Sequence, residues 1–237
     1  MDLGLRGKVA LVTAASKGLG RGAALALASE GAHVAICARE PDRLAAAAKE
    51  LQGEVLALPA DVTDPSTPAR LVEATVERFG SLHILVANAG GPPRARALEV
   101  QDAGLTEALN ANLTTSIRLA LAAVPHMRAA GGGRICFITS NAVKQPIPDL
   151  AYSNVARTGL WAWAKTAAQD LIDDGITVNL LCPGLHATDR VTSLQRAGRL
   201  GDPEDFGRVV AFLCSASAGF ISGAALQVDG AGTLGLL

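Results

Sequence analysis

The sequence KVALVTAASKGLG, residues 8–20, joins an apolar run to a turn that contains two glycines, and a stretch rich in Ala and Leu follows to about residue 30. The apolar run predicts a buried β-strand over 8–13, and the Ala- and Leu-rich stretch predicts a helix. A turn between a strand and a helix lets backbone N–H groups meet a pyrophosphate at the N-terminus of the helix. The stretch therefore predicts a dinucleotide-binding α/β fold.

The same alternation of strand and helix continues along the chain. Apolar runs predict strands at 32–37, 55–58, 83–87, 135–138 and 176–181 and a last one ending near 228, and helical patterns lie between them at 41–51, 65–79, 100–127, 152–171 and 204–214. Such alternation gives right-handed crossovers and a parallel sheet, whose ligands bind at the carboxyl ends of the strands. We predict a single α/β domain over 1–237: a Rossmann-type, doubly wound, mostly parallel seven-stranded sheet with helices on both faces, in three layers.

Composition excludes several other classes of protein. The formal net charge is −1, without a basic block, so nothing indicates nucleic acid or an acidic membrane surface as a partner. No apolar run reaches the ~18 residues of a membrane span, and the N-terminus lacks a signal-peptide pattern. Cys37, Cys136, Cys182 and Cys214 are scattered and show no metal or redox spacing, which favours buried thiols in a reducing cytoplasm and no metal site.

Two hydroxyl groups flank the predicted fifth strand and the helix after it. Ser140 follows the apolar run and is expected in the crevice at the strand end. Tyr152, the one tyrosine of the chain, comes twelve positions later, and Ala156, Leu160 and Trp163 mark one face of the helix that follows. A hydroxyl at a strand end and a phenol at a helix start can converge on one carbonyl oxygen.

These residues, together with Asn-Ala-Gly at 88–90, Pro-Gly-x-x-x-Thr at 183–188 and Asp-Gly at 229–230, resemble the short-chain dehydrogenase/reductase family over about residues 7–231. The resemblance is closest to its 3-oxoacyl-[acyl-carrier-protein] reductase-like branch. It implies that Ser140 orients a substrate carbonyl, that Tyr152 donates a proton to it and that Asn112 is the fourth catalytic position.

The family's lysine, four residues after the tyrosine, is absent from this sequence. Ala156 occupies that position, and the nearest cation is Arg157, while Lys144 lies in the loop between Ser140 and Tyr152. In the family the lysine holds the nicotinamide ribose and lowers the pKa of the phenol. Either Arg157 or Lys144 is a candidate replacement. A neutral phenol is already a proton donor, so we expect the loss to impair reduction less than alcohol oxidation.

The resemblance also implies a set of cofactor contacts. Ala14 replaces the first glycine of the family's turn, and alanine suits that position only if its φ is negative. Asp61 is expected to accept from the adenine amino group, with capping of the next helix as the alternative. The full set is Thr13, Ala15, Ser16, Lys17, Gly18, Leu19, Gly20, Arg39, Asp61, Val62, Asn88, Ala89, Gly90, Pro183, Gly184 and Thr188.

Two cations favour NADP(H) over NAD(H) as the cofactor. Arg39 follows the second predicted strand, and Lys17 lies in the glycine turn. A ribose 2′-hydroxyl is usually matched by a carboxylate there, whereas a 2′-phosphate is matched by cations. Two solvated surface cations are the alternative interpretation of the same residues.

The prediction is thus a cytoplasmic NADPH-dependent oxidoreductase that reduces a ketone, with a 3-oxoacyl thioester as a candidate, to a secondary alcohol. The alternative is an NADP(H)-binding protein with weakened catalysis that acts as a sensor or partner subunit. Relatives in the family assemble as tetramers, so a homotetramer or a homodimer is expected. His186 is expected as a surface loop residue, although a histidine there is also a possible acid.

Overall fold

The computed structural model describes residues 2–192 and 200–235. Its seven strands form one sheet in the order β3-β2-β1-β4-β5-β6-β7, and every neighbouring pair is parallel. This confirms the predicted Rossmann-type architecture. The strands are β1 (Val9–Thr13), β2 (His33–Ala38), β3 (Val55–Pro59), β4 (Ile84–Ala87), β5 (Gly133–Ile138), β6 (Ile176–Pro183) and β7 (Ala225–Val228).

Helices cover both faces of the sheet. They are α1 (Gly18–Ser29), α2 (Pro41–Glu50), α3 (Thr67–Phe79), α4 (Asp102–Leu109), α5 (Thr115–Ala129), α6 (Ala151–Leu171), α7 (Asp189–Thr192) and α8 (Pro203–Leu213). Successive side chains of a strand point to opposite faces, so β1 contributes Val12 to one core and Leu11 to the other. Leu27 and Phe206 belong to the first core, and Leu160 belongs to the second. The result is three layers.

The chain changes direction across the sheet at β1 and β4. From β1 the order runs through β2 to β3 on one side, and from β4 through β5 and β6 to β7 on the other. The loops that leave these two strands therefore diverge and open a crevice at their carboxyl ends, where ligands of such sheets bind. The fold thus fixes the position of the candidate site.

The helix predicted over 100–127 is interrupted. The structure has α4, then a π-helical segment at Asn110–Thr114, and then α5. The pattern of apolar residues did not predict the π-helical segment, because the helical pattern continues on both sides of it. Single π turns inside helices are rare and occur frequently at functional sites. Among the described residues no helix is both long and apolar enough to cross a membrane.

Candidate active site

A crevice of about 780 Å³ lies at the carboxyl ends of β4, β5 and β6. It extends from the start of α1 to the loop that follows β6, and it is wide enough for more than one bound group. Its walls carry both the residues expected at a cofactor and those expected at a substrate. Those that matter below are Leu19, Asn88, Ala89, Arg94, Ser140, Ser153, Arg157, Pro183, Gly184, His186, Thr188 and Asp229.

Ser140 lies in the crevice, as the sequence predicts. It directly follows Thr139 after β5 and has extended backbone angles, φ −162° and ψ 151°. The Ala142 N–H donates to Ser140 Oγ at 3.1 Å, and this bond caps the short 3₁₀ turn Asn141–Val143. Ser140 Oγ is also 3.4 Å from the Asn141 side-chain oxygen. These contacts orient the hydroxyl on the crevice wall.

Tyr152 is not among the described residues that line the crevice, so the structure does not bring it together with Ser140. Its side chain is 5% exposed, and its hydroxyl accepts the Gln101 backbone N–H at 2.8 Å. The ring lies against Gly104 of α4, where an added Cβ would meet the phenol oxygen at 2.7 Å. Because successive residues of a helix point about 100° apart, the position that faces α4 is not the one that faces Ser140.

Ser153 and Arg157 occupy the crevice face of α6 instead. Both line the crevice together with Ser140, and their exposed fractions are 6% and 7%. One Arg157 terminal nitrogen donates to the Ile138 carbonyl at 3.0 Å, at the end of β5. Residues four apart share a helix face. Ser153 and Arg157 therefore have the separation that the family has between its tyrosine and lysine.

Sequence reasoning missed Ser153, although the sequence carried a signal for it. Arg157 is four residues after Ser153 but five after Tyr152. Fixing the alignment on the cation rather than on the aromatic residue would have selected Ser153. Ala156, which lies four residues after Tyr152 where the family's lysine was expected, is fully buried.

The second candidate for the missing lysine is engaged elsewhere. The Lys144 ammonium lies 4.3 Å from the centroid of the Trp161 ring, in a cation–π contact. Lys144 is not among the described residues that line the crevice, whereas Arg157 is. The structure therefore favours Arg157 as the cation next to Ser140.

Asn112 lies in the π-helical segment and is 2% exposed. Its side-chain nitrogen is 3.5 Å from the Ala108 carbonyl, and within the described residues its side-chain oxygen has no hydrogen-bond partner. The described crevice lining does not include Asn112. Its catalytic role remains a prediction, and the unsatisfied buried oxygen marks a place where a water molecule would be stabilised.

His186 is buried rather than exposed, so the expectation of a surface histidine is wrong. It is 5% exposed, and the edge of its ring packs on Phe206 of α8 with centroids 5.2 Å apart. Its Nδ1 lies 3.3 Å from the Gly184 carbonyl. The contact with α8 buries this part of the loop after β6. The sequence of a loop does not indicate such a tertiary contact.

The glycine turn after β1 is held by side chains from both halves of the sheet. Thr13 Oγ1 donates to the Asn88 carbonyl at 2.7 Å and accepts the Asn88 N–H at 2.9 Å. The Asn88 amide nitrogen donates to the Ala14 carbonyl at 3.2 Å. A Cβ on Gly20 would lie 2.5 Å from that carbonyl oxygen. The turn therefore needs glycine at position 20, for reasons of space.

Ala14 has a φ of +47°, in the left-handed region. Alanine was expected to suit this position only if its φ were negative, and this φ is positive. For a residue with a Cβ this conformation costs about 1–2 kcal/mol. The bonds around Thr13 and Asn88 hold the backbone there, so the turn retains its shape at the expense of local strain.

The start of α1 fits a dinucleotide pyrophosphate. Lys17 is its N-cap residue, and among the described residues its side chain makes no capping hydrogen bond. The first N–H groups of a helix lack intrahelical partners and attract anions. Gly90 follows Ala89 of the crevice lining, and a Cβ added to it would have no heavy atom within 4 Å in the part of the chain that the structure describes. The residues present thus leave room and donors for the phosphates.

The corner after β2 and β3 carries charges of both signs. Asp61 Oδ1 accepts the N–H and the hydroxyl of Thr63 at 2.9 and 2.8 Å. These bonds, the N–H of Thr63 first, and the nearby Arg39 charge lower the pKa of Asp61. Helix α3 begins only at Thr67, so Asp61 caps the turn before the helix rather than the helix itself.

Lys17 Nζ lies 3.6 Å from Asp189 in an exposed ion pair.

The sequence of this chain is similar to those of known enzymes over nearly its whole length. The family model described as enoyl-(acyl carrier protein) reductase matches residues 13–233. The human protein "Dehydrogenase/reductase SDR family member 4" is 34% identical over 243 residues, which cover 95% of this chain and 87% of the relative. A 3-oxoacyl-[acyl-carrier-protein] reductase from Escherichia coli is 34% identical over 239 residues, covering 96% and 98%.

Solved structures agree with these matches. L-sorbose reductase from Gluconobacter frateurii, complexed with NADPH and L-sorbose, has a TM-score of 0.93 and 33% identity, with 100% of both chains covered. A 7α-hydroxysteroid dehydrogenase complexed with NADH and 7-oxo glycochenodeoxycholic acid has a TM-score of 0.93 and 29% identity, with 100% of this chain and 98% of that one covered. The two relatives bind different nicotinamide cofactors, so the likeness leaves the choice between them open.

Proposed function

Since the chain belongs to the short-chain dehydrogenase/reductase family of oxidoreductases, we propose that it is an NADPH-dependent reductase that converts a ketone into a secondary alcohol. The observation that carries the proposal is the continuous crevice from the start of α1 to Ser140 and Arg157. It joins an anion-binding helix N-terminus to a hydroxyl and a cation, the groups that a dinucleotide and a carbonyl oxygen need.

The proposed cofactor contacts follow the loops at the strand ends. Residues 18–20 would hold the pyrophosphate, Asp61 and Val62 the adenine, and the loop from Pro183 to Thr188 the nicotinamide. Arg39 and Lys17 would hold the 2′-phosphate, because both are exposed cations at the ends of neighbouring strands β1 and β2. Bound NADPH would supply the hydride.

On the substrate side, Ser140 would donate a hydrogen bond to the carbonyl oxygen and so draw charge towards it. A 3-oxoacyl thioester is the candidate substrate, in view of the Escherichia coli relative's name. The crevice, at about 780 Å³, has the size of sites that hold a cofactor end and a small ligand.

A second candidate function is an NADP(H)-binding protein without turnover, acting as a sensor or partner subunit. The burial of the Tyr152 hydroxyl against Gln101 favours it, because the tyrosine is then not available to the crevice. Both candidates predict cofactor binding, and only the reductase predicts its oxidation.

The test separates binding from turnover. NADPH and NADH titrations by calorimetry measure affinity, and loss of absorbance at the nicotinamide band measures turnover with acetoacetyl thioester and a panel of ketones. The reductase predicts tighter binding of NADPH and its oxidation by a ketone. Binding without oxidation supports the second candidate, and an absence of binding contradicts both.

We also propose a homotetramer or a homodimer, in the cytoplasm. Leu121 of α5 and Val155 of α6 are 61% and 53% exposed, which supports burial of these two helices against a second copy. Light scattering on the purified protein measures the mass, and a monomer at micromolar concentration would contradict the proposal.

A further inference from the structure

We infer that Ser153 protonates the substrate oxygen and that Arg157 stabilises the charge on that oxygen, in place of the tyrosine and lysine of the family. The inference rests on the proposed reductase function and deepens it, since it assigns a proton donor among the residues that line the crevice, which do not include Tyr152.

The geometry places both groups at the reacting end of the crevice. Ser153 and Arg157 share a face of α6 and line the crevice with Ser140. Arg157 is held by the Ile138 carbonyl, two residues before Ser140 along the chain. The guanidinium is thus fixed beside the end of the strand that delivers the Ser140 hydroxyl.

Burial makes this cation effective. Arg157 is 7% exposed, and a charge in a poorly solvated site interacts more strongly with a developing oxyanion than it would in water. A guanidinium is not deprotonated in proteins, so Arg157 keeps its charge over the working range of pH. A lysine is not required for that electrostatic role.

The proton balance suits reduction. The carbonyl carbon accepts the hydride that NADPH supplies, the π electron pair moves to the oxygen, and the oxygen takes the Ser153 proton, which water in the open crevice replaces. NADPH is oxidised to NADP⁺ and the ketone is reduced to the alcohol. Serine and a secondary alcohol are both aliphatic alcohols of similar acidity, so the transfer is close to balanced. Oxidation would need Ser153 to act as a base, for which a neutral hydroxyl is poorly suited.

Three other ionisable groups of the crevice also contact their neighbours. Arg94 donates to the Asp149 carboxylate, with its Nε at 2.8 Å. Asp229 accepts from the backbone N–H of Ala231 and from the N–H and hydroxyl of Thr233. His186 packs on Phe206, as described above. Ser153 lines the crevice and shares the face of α6 with the buried Arg157.

The experiment compares the oxidation of NADPH by an activated α-diketone, and by the best ketone of the panel, in the full-length protein and its variants. Ser153→Ala is expected to lower kcat by about 100-fold or more, the usual worth of a positioned proton donor, with little change in KM. Arg157→Met is expected to lose kcat by at least the same factor, and added guanidinium is expected to restore part of that kcat. Arg157→Lys is expected to retain more activity than Arg157→Met.

The matched control is Thr166→Ala, which removes a hydroxyl from the exposed side of the same helix, where it bonds to the Ala162 carbonyl. It is expected to leave kcat unchanged. NADPH affinity is measured for every variant, because a variant that does not fold will not bind NADPH. If Arg157→Met does not fold, the comparison of Ser153→Ala and Arg157→Lys with the wild type decides the test.

The outcomes are distinct. Unchanged kcat in Ser153→Ala, or a folded Arg157→Met that guanidinium does not restore, overturns the inference and leaves the reductase function standing. Bound NADPH that no carbonyl oxidises overturns the inference in favour of a binding protein. Wild-type protein that does not bind NADPH overturns the proposed function and this inference together.

Discussion

The glycine turn after β1 and the crevice face of α6 respond differently to changes in sequence. At the turn, Ala14 replaces a glycine, yet the backbone keeps the left-handed conformation, because Thr13 and Asn88 hold it. On α6, a change of residues puts Ser153 and Arg157 where an aromatic acid and a lysine are expected. The turn keeps its backbone geometry although Ala14 carries a Cβ, whereas the face of α6 presents different chemical groups to the crevice.

The largest expected effect is at the turn itself. Gly20→Val would place a branched side chain where a Cβ alone lies 2.5 Å from the Ala14 carbonyl oxygen and 2.7 Å from the Asn88 amide. We expect NADPH affinity to fall by at least about 100-fold and the free energy of unfolding to fall by several kcal/mol, as in other overpacked sites. Calorimetric titration and urea unfolding measure the two effects.

Gly159→Ala is the control for that substitution. A Cβ on Gly159 would meet the side chain of Leu113 at 3.5 Å, an ordinary contact, and Ala favours the interior of α6. The protein is expected to remain folded and to bind NADPH normally. Equal behaviour of the two variants would show that the turn is not a rigid backbone site.

The charge at the adenosine corner gives the next effect. Arg39→Asp would replace a cation with a carboxylate, and we expect NADPH affinity to fall by about 10–100-fold while NADH affinity rises. Lys17→Ala is expected to act in the same direction but more weakly, because Lys17 also pairs with Asp189. Titration of each variant with both cofactors measures the ratio of affinities, and an unchanged ratio in both variants would contradict the preference for NADP(H).

Alkaline pH tests the buried thiol behind this corner. Burial, and then the Asp61 charge, raises the pKa of Cys37 to about 12. In the unfolded chain the thiol ionises near pH 9, so above that pH the unfolded state binds fewer protons than the folded state and stability falls. For this thiol the loss is at most about 1.4 kcal/mol per pH unit, and it continues until the pH reaches the folded pKa. Urea unfolding between pH 8 and 10 measures it.

Cys37→Ala isolates this contribution. The variant is expected to lose less stability between those two pH values than the wild type does. Cys182, whose pKa is raised by burial, and Cys214, whose pKa is raised by the hydrogen bond with the Cys136 thiol and then by burial, still contribute. Identical slopes would mean that Cys37 does not hold its proton in the folded state.

Ala14→Gly is expected to have the smallest effect, and a favourable one. Glycine removes the cost of positive φ, about 1–2 kcal/mol, but it also loses more chain entropy on folding, about 0.4–1 kcal/mol. We therefore expect the free energy of unfolding to rise by about 0.5–1 kcal/mol, measured by urea unfolding. A decrease would show that the turn is not strained at this residue.

The positions of the strands and their parallel pairing follow from the sequence, because buried parallel strands are continuous apolar runs and the helices between them serve as crossovers. The position of Ser140 follows for the same reason, since it comes directly after such a run. Tyr152 shows the limit of this reasoning. One residue of difference in a helix turns a side chain by about 100°, and sequence spacing did not show which residue of α6 faces Ser140.

The φ of Ala14 and the π-helical segment around Asn112 were beyond prediction for another reason. Both depend on tertiary contacts: the first on the bonds to Thr13 and Asn88, the second on how α4 and the π-helical segment itself pack against α6. Periodicity and residue propensity describe local preference and do not record such contacts.

The most direct measurement is kcat for NADPH oxidation in Tyr152→Phe and in Ser153→Ala, two variants that each lose one hydroxyl at adjacent positions. We expect Tyr152→Phe to keep most of the wild-type kcat, with a loss of stability of about 1 kcal/mol because the Gln101 N–H loses its acceptor. We expect Ser153→Ala to lose kcat by about 100-fold or more. The reverse pattern, an inactive Tyr152→Phe beside an active Ser153→Ala, would contradict the assignment of Ser153 and Arg157 to the reacting end of the crevice.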